Sequence, residues 1–160
     1  MIMNFESIIN LPEGRRIEFK EQLPVSSELA KTVIAFANDA GGNILIGIKD
    51  NPREITGCDS DKLLKIEEKI SNIIYDNCSP IIIPDINFHN YNGKHIIRVI
   101  IHKGNNPPYF FKSKGENKGT YIRVGSINRL ANEELITSLE RKNAMFLLTV
   151  NLYMIEKLMN

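Results

Sequence analysis

The sequence predicts an α+β domain, a mixed β-sheet carrying three main helices. Three observations point to it. Strand-like and helix-like segments follow in the order β-α-β-β-α-β-β-β-β-α, which neither alternates regularly nor stays all-β. An apolar helical pattern ends near Asn38, and the Gly41-Gly42 turn behind it opens onto the run Ile44-Leu45-Ile46. The chain has 160 residues, 42% of them hydrophobic and 24% charged, enough to bury one sizeable core.

The elements follow in order. Residues 15–20 alternate as a first strand, with Ile17 and Phe19 on one face and Arg16, Glu18 and Lys20 on the other. Leu23-Pro24 breaks it, and Ser26 or Ser27 caps a helix over 28–38 whose buried side holds Leu29, Val33, Ile34 and Phe36. The helix stops there because Asn and Gly tolerate the left-handed conformation. A buried strand over 43–48 comes next, where Gly47 admits close approach by another backbone or a ligand. Asp50-Asn51-Pro52 turns the chain into a short strand over 54–56 that Gly57 closes. Asp59 or Ser60 caps a second helix over 61–75, with Leu63, Ile66, Ile70 and Ile74 on its apolar face. Residues 81–87 read as extended, and Asn92-Gly93 marks a tight turn before a strand over 95–102. The loop 103–108 then leads to a basic hairpin, 109–112 against 119–124, around a tip rich in Gly, Lys and Asn. Asn132 caps a third helix running to about residue 142, with Glu133 and Glu134 favoured by the helix dipole in its first turn. Beyond it Met145, Leu148, Leu152, Ile155 and Leu158 or Met159 form one apolar stripe. The expected organisation is a domain over 6–142 and an apolar helix or tail over 143–160.

Composition narrows the function classes. The formal net charge is only +1, yet between residues 94 and 129 Lys94, Arg98, Lys103, Lys112, Lys114, Lys118, Arg123 and Arg129 stand against Glu116 alone. Segregation of that kind predicts a surface that faces a polyanion. Cys58 and Cys78 are too few for a disulfide scaffold or a four-ligand zinc site, and a reduced, cytoplasmic location is expected. No basic-then-apolar leader and no run of ~20 apolar residues occurs, so no membrane partner is expected. His89, His95 and His102 fit no ligand spacing, and no Gly-Lys-Ser/Thr follows Gly41-Gly42, so neither zinc nor an ATP loop is predicted.

Four motifs agree in order and spacing. They are Glu13-Gly14-Arg15-Arg16-Ile17-Glu18-Phe19-Lys20, the helix–Gly-Gly–strand segment ending at Asp50, Pro107-Pro108-Tyr109, and Tyr121-Ile122-Arg123-Val124-Gly125-Ser126. Together they resemble the Schlafen AlbA-type domain over residues 6–140. That family's domain stands at the N-terminus of many prokaryotic transcriptional regulators and in the animal Schlafen proteins. The resemblance implies nucleic-acid binding, DNA first, in a transcription-associated role, with binding placed ahead of catalysis.

Two candidate sites follow. The nucleic-acid contacts are expected at Lys112, Lys114, Lys118, Arg123, Ser126 and Arg129, where cations and hydroxyl or backbone donors meet phosphate. Arg123 has a second possible role, pairing with Glu18 across the sheet. The alternative function is a divalent-metal-dependent endoribonuclease, since animal Schlafen ribonucleases use two glutamates and an aspartate. Glu13 and Glu18 match that arrangement and Asp50 would be the third acid. Mg²⁺ or Mn²⁺ is expected only under that alternative, and otherwise no cofactor. A third reading is a dimerisation or protein-interaction module, with the apolar tail as seam and a homodimer as partner.

Overall fold

The computed structural model describes residues 4–159. Helix α1 (Phe5–Ile8) precedes strand β1 (Ile17–Lys20), helix α2 (Ser26–Asn38), strand β2 (Gly42–Ile46) and the short strands β3 (Ile48–Lys49) and β4 (Glu54–Ile55). A 3₁₀ turn at Ser60–Lys62 enters α3 (Leu63–Asn77), followed by β5 (Cys78–Ser79), β6 (Asp85–Tyr91) and β7 (Lys94–Ile101). Then come β8 (Phe110–Phe111), α4 (Glu116–Gly119), β9 (Tyr121–Val124), β10 (Ile127–Leu130) and α5 (Glu133–Met159).

Four strands form the central sheet in the order β1-β2-β7-β6. β1 and β2 run parallel because α2 crosses between them, while β7 pairs antiparallel with both β2 and β6. Side chains alternate across this sheet and build two cores. Ile44, Ile46, Ile97, Val99 and Ile101 face α2 and α3, meeting Leu29, Val33, Phe36, Ile70 and Ile74. Leu45, Ile96, Ile17 and Phe19 face the other way, onto Phe5, Ile8 and Ile9. The mixed α+β architecture predicted from the element order is what the chain adopts.

Local rules explain most boundaries. Asp59 accepts from Asp61 N at the second helix, and Asn132 Oδ1 accepts from Leu135 N at 2.9 Å to start α5. Asn92 and Gly93 both take positive φ in the turn between β6 and β7, as expected of that dipeptide.

Several expectations are corrected. Neither Ser26 nor Ser27 caps α2: the helix begins at Ser26, and Val25 carbonyl oxygen accepts from Glu28 N and Leu29 N. The left-handed residue behind α2 is Gly41 (φ 76°), not Asn38, and Gly41 N donates to Phe36 O at 2.8 Å. A Cβ on Gly41 would lie 2.5 Å from Ile101 O, so glycine is required there twice over. The strand over 43–48 breaks at Gly47, whose carbonyl receives Thr56 N and Gly57 N. The hairpin expected over 109–124 does not form as one unit. β8 pairs with β5, and β9 pairs with β10 across the two-residue turn Gly125-Ser126, which keeps the strand register tight. The third helix does not stop near residue 142 but continues to Met159, since no Gly or Pro interrupts it. Residue 160, the end of the expected tail, lies outside the described residues.

Candidate functional site

Glu13, Glu18 and Asp50 are brought within electrostatic reach of one another around β1. Burial pushes the Glu13 carboxyl above its ordinary range, the Phe19 N–H it accepts at 2.8 Å pulls it down, and the charges of Glu18 and Asp50 push it up again. Each acid already has a partner. Glu18 is buried and takes Arg123 Nη2 on Oε2 at 2.6 Å and Lys20 Nζ on Oε1 at 2.8 Å. Asp50 takes Arg53 Nη2 at 2.6 Å. Among the described residues no three His, Cys, Asp or Glu side chains are grouped so as to hold a metal ion. As they stand the three acids are not grouped as an ion centre: cations of the chain take both Glu18 oxygens and one of Asp50, while Glu13 accepts a backbone N–H.

Arg123 takes the structural role of its two. Its side chain is fully buried, and it donates to Gly14 O, Glu18 and Asn128 Oδ1, so every face of the guanidinium is spoken for. Enclosed in this way, Arg123 is joined to the protein's own acceptors and is not presented at the surface with the rest of the expected nucleic-acid set. The other members of that set lie at the surface. Lys112 Nζ donates to Tyr75 O near the C-terminal end of α3, where a cation meets the helix dipole, and Lys114 rests over the Phe111 ring. Lys118, Ser126 and Arg129 are exposed.

A different surface gathers the cations. Where α2 ends, β2 begins and the 103–108 loop crosses, a cleft of about 480 Å³ is lined by Arg15, Arg16, Lys103 and Lys142, with Asp39 as its acid. Its geometry follows from Asn38, the buried last residue of α2. Asn38 Nδ2 donates to Tyr109 O and Tyr121 O, and Asn38 Oδ1 accepts from Tyr109 N at 2.7 Å, pinning two later segments to the helix end. Gly104 N donates to Ala37 O at 2.9 Å, and the Tyr109 ring covers Gly104 so closely that a Cβ would stand 2.0 Å from it. That close approach sets Lys103 on the cleft wall.

Arg15 grips Asp39 with two bonds of 2.6 Å, which holds the Asp39 carboxyl below its ordinary range, against burial and with help from the charges of Arg16 and Lys142. That pair is neutral as a unit. Among the described residues Arg16, Lys103 and Lys142 have no carboxylate within salt-bridge distance, so the cleft keeps an uncompensated positive potential. Lys103 belongs to the basic segment 94–129 seen in the sequence, while Arg15, Arg16 and Lys142 lie outside it. The signal for the cleft was present in the Arg15-Arg16 pair of the first motif, while Lys142 carried none, since only the fold brings α5 beside the α2–β2 turn.

Comparison with known proteins adds the following. A family model described as Schlafen, AlbA_2 matches residues 13–132. The chain is 33% identical over 78 residues to an uncharacterized ATP-binding protein of Ureaplasma parvum serovar 3, a match covering 48% of this chain and 21% of that one. The matched region is thus about a fifth of the length of that curated relative. Among solved structures, the DIP2311 protein from Corynebacterium diphtheriae superposes with a TM-score of 0.56 at 20% identity, covering 79% of this chain and 28% of that one. The N-terminal domain of a Nitrosomonas europaea protein, described as related to the ATP-dependent DNA helicase RecG, superposes at 0.57 with 24% identity, covering 79% of this chain and 89% of that one. At these identities both likenesses concern the fold.

Proposed function

The chain belongs to the Schlafen AlbA_2 family, and from that premise we propose that it binds nucleic acid through backbone phosphates seated in the cationic cleft at the α2–β2 turn. The observation that carries this reading is the set Arg16, Lys103 and Lys142, which converge on one concave surface without acidic partners. Phosphate contacts of this kind release condensed counterions and give affinity without sequence preference. DNA is the first substrate to test, supported by the description of the RecG-related neighbour, and a transcription-associated role is the finer form of the proposal. The exposed Lys112, Lys114, Lys118, Ser126 and Arg129 are proposed as a second strip of contacts.

Fluorescence anisotropy of a labelled DNA duplex at low and moderate salt tests it. Binding is expected to weaken steeply with salt, and Arg16→Ala, Lys103→Ala and Lys142→Ala are each expected to lower the log–log salt slope by about 1. Failure to bind at low salt would overturn the DNA reading. An unchanged slope in all three variants, with a reduced slope for Lys112→Ala and Lys118→Ala, would move the interface to the second strip.

A second reading is favoured by one observation on α5. Met145, Leu148, Leu152, Ile155 and Met159 are exposed at alternating spacings of three and four, with no charged residue between Lys142 and Glu156. That is the spacing of a helix–helix seam, and the exposed apolar side chains offer on the order of 1,000 Å², comparable with the ~800 Å² each partner gives a stable interface. We propose a homodimer through this helix. Sedimentation of the full chain is expected to give a dimer, and truncation after residue 143 a monomer; a monomeric full chain ends the idea.

A further inference from the structure

Among the described residues two arginines are buried, and only one has a counter-charge. Arg123 faces Glu18. Arg98, at 4% exposure on β7, has a single hydrogen bond to a neutral group, Nε to Asn43 Oδ1 at 2.8 Å. Among the described residues no carboxylate lies within salt-bridge distance of it. Its terminal nitrogens donate to no described residue, and neither is among the buried side-chain atoms sealed off without a partner.

The alternation of β7 puts Arg98 on the sheet face opposite α2 and α3, beyond the end of the second core. There it lines a cavity of about 210 Å³ together with Arg16, Asn43, His102 and Lys103. No acid lines that cavity, and it adjoins the cleft through the shared residues Arg16 and Lys103. His102 Nε2 is held by Asp85 at the rim, both half-exposed. Burial alone drives the Arg98 guanidinium below its ordinary pKa, with no nearby negative charge to offset it.

The terminal nitrogens of Arg98 thus open onto a cavity that holds three cationic side chains and no acid, so the negative charge is expected to come from a ligand. We propose that this cavity binds a phosphate monoester, either the terminal phosphate of a nucleic-acid strand or that of a free nucleotide, with Arg98 as its buried counter-charge. The strand-end form rests on the nucleic-acid reading above; the nucleotide form does not. Two features select the monoester over an internal diester. A monoester carries two negative charges at neutral pH against Arg98, Arg16 and Lys103, where a diester carries one. It also has three free oxygens and one tether, so it reaches a donor that lies below the surface, while a diester is held at both ends.

The test compares one single strand carrying a 5′ phosphate, a 3′ phosphate or neither, alongside adenosine monophosphate, adenosine and inorganic phosphate. One phosphorylated strand is expected to bind at least tenfold tighter than the hydroxyl strand, with inorganic phosphate competing. Arg98→Met is expected to abolish that preference while retaining salt-dependent binding of all strands. Should Arg98→Met fail to fold, the exposed Arg16→Met serves, with an expected severalfold loss of the preference. Equal binding of all three strands, with no rise in melting temperature in phosphate, overturns the cavity and leaves the nucleic-acid reading standing. Stabilisation by adenosine monophosphate but not adenosine, with no strand bound, keeps the cavity and rejects the nucleic-acid reading. Preference undiminished in both variants removes Arg98 from the site.

Discussion

Arg123 shows how one residue's role is set by what surrounds it. A cation in an alternating strand reads as solvent-facing, but β9 lies against the β1 segment, and Glu18 waits there nearly as buried as Arg123 itself. Removing one side of such a pair leaves the other charge stranded, a cost of about 3–5 kcal/mol. Arg123→Ala is therefore expected to lower unfolding stability by about 3 kcal/mol, with Lys20 still holding one Glu18 oxygen and limiting the loss. Urea denaturation measures it; a change below about 1 kcal/mol, the range of an exposed pair, would mean that the pair is effectively solvated. The same reasoning separates Arg98 from Arg123: equal burial, opposite bookkeeping of charge. The Arg123–Glu18 pair was one of two roles open in the sequence and needed the fold to choose it, while the unpaired state of Arg98 depends wholly on what distant strands place beside it.

At the scale of elements, caps and turns obeyed local chemistry where the relevant atoms are neighbours in sequence. Asn132, Asp59 and the Asn92-Gly93 turn are of this kind. The basic hairpin failed because β8 ladders with the distant β5 while β9 turns straight into its sequence neighbour β10, leaving the single bridge Phe110–Thr120 between the expected arms. Helix α5 illustrates the opposite case. Its first turns are anchored by Ile136 and Leu139, while every residue from Ala144 to Met159 is exposed. Because every residue of that part stays exposed, Phe146 at the cleft wall included, truncation after residue 143 is expected to leave the melting temperature of a dilute sample within a degree or two. A drop of more than about five degrees would mean that the helix packs on its own domain, and thermal melts of the two chains decide it.

For the molecule as a whole, net charge is a poor guide to partners. The chain is nearly neutral, with an isoelectric point near 7.8, yet the cleft gathers cations that are not cancelled locally. Field at short range is set by the nearest charges, since screening removes those more than ~10 Å away at ordinary salt. Binding of the DNA duplex is accordingly expected to persist a unit above the isoelectric point, where the net charge is negative but guanidinium and ammonium groups stay charged. Anisotropy across that pH range checks this, and a loss of binding that follows net charge would point to a diffuse interaction with no defined cleft.

The α+β class, the order of the principal elements, the helix start at Asn132 and the family membership that the four motifs announced were all readable along the chain. These rest on periodicity, turn chemistry and short motifs, all written within a few consecutive residues. The sequence also placed Arg15 and Arg16 in view without saying what they face. The three-dimensional arrangement alone brings Lys103 and Lys142 beside them, gives Glu18 to Arg123 and Lys20, and leaves Arg98 buried with no carboxylate of the described residues within salt-bridge distance. The physical reason is that charge is judged by distance through space. A sheet order of β1-β2-β7-β6 sets residues some fifty positions apart in the chain, those of β2 and β7, side by side, and no local pattern encodes that adjacency.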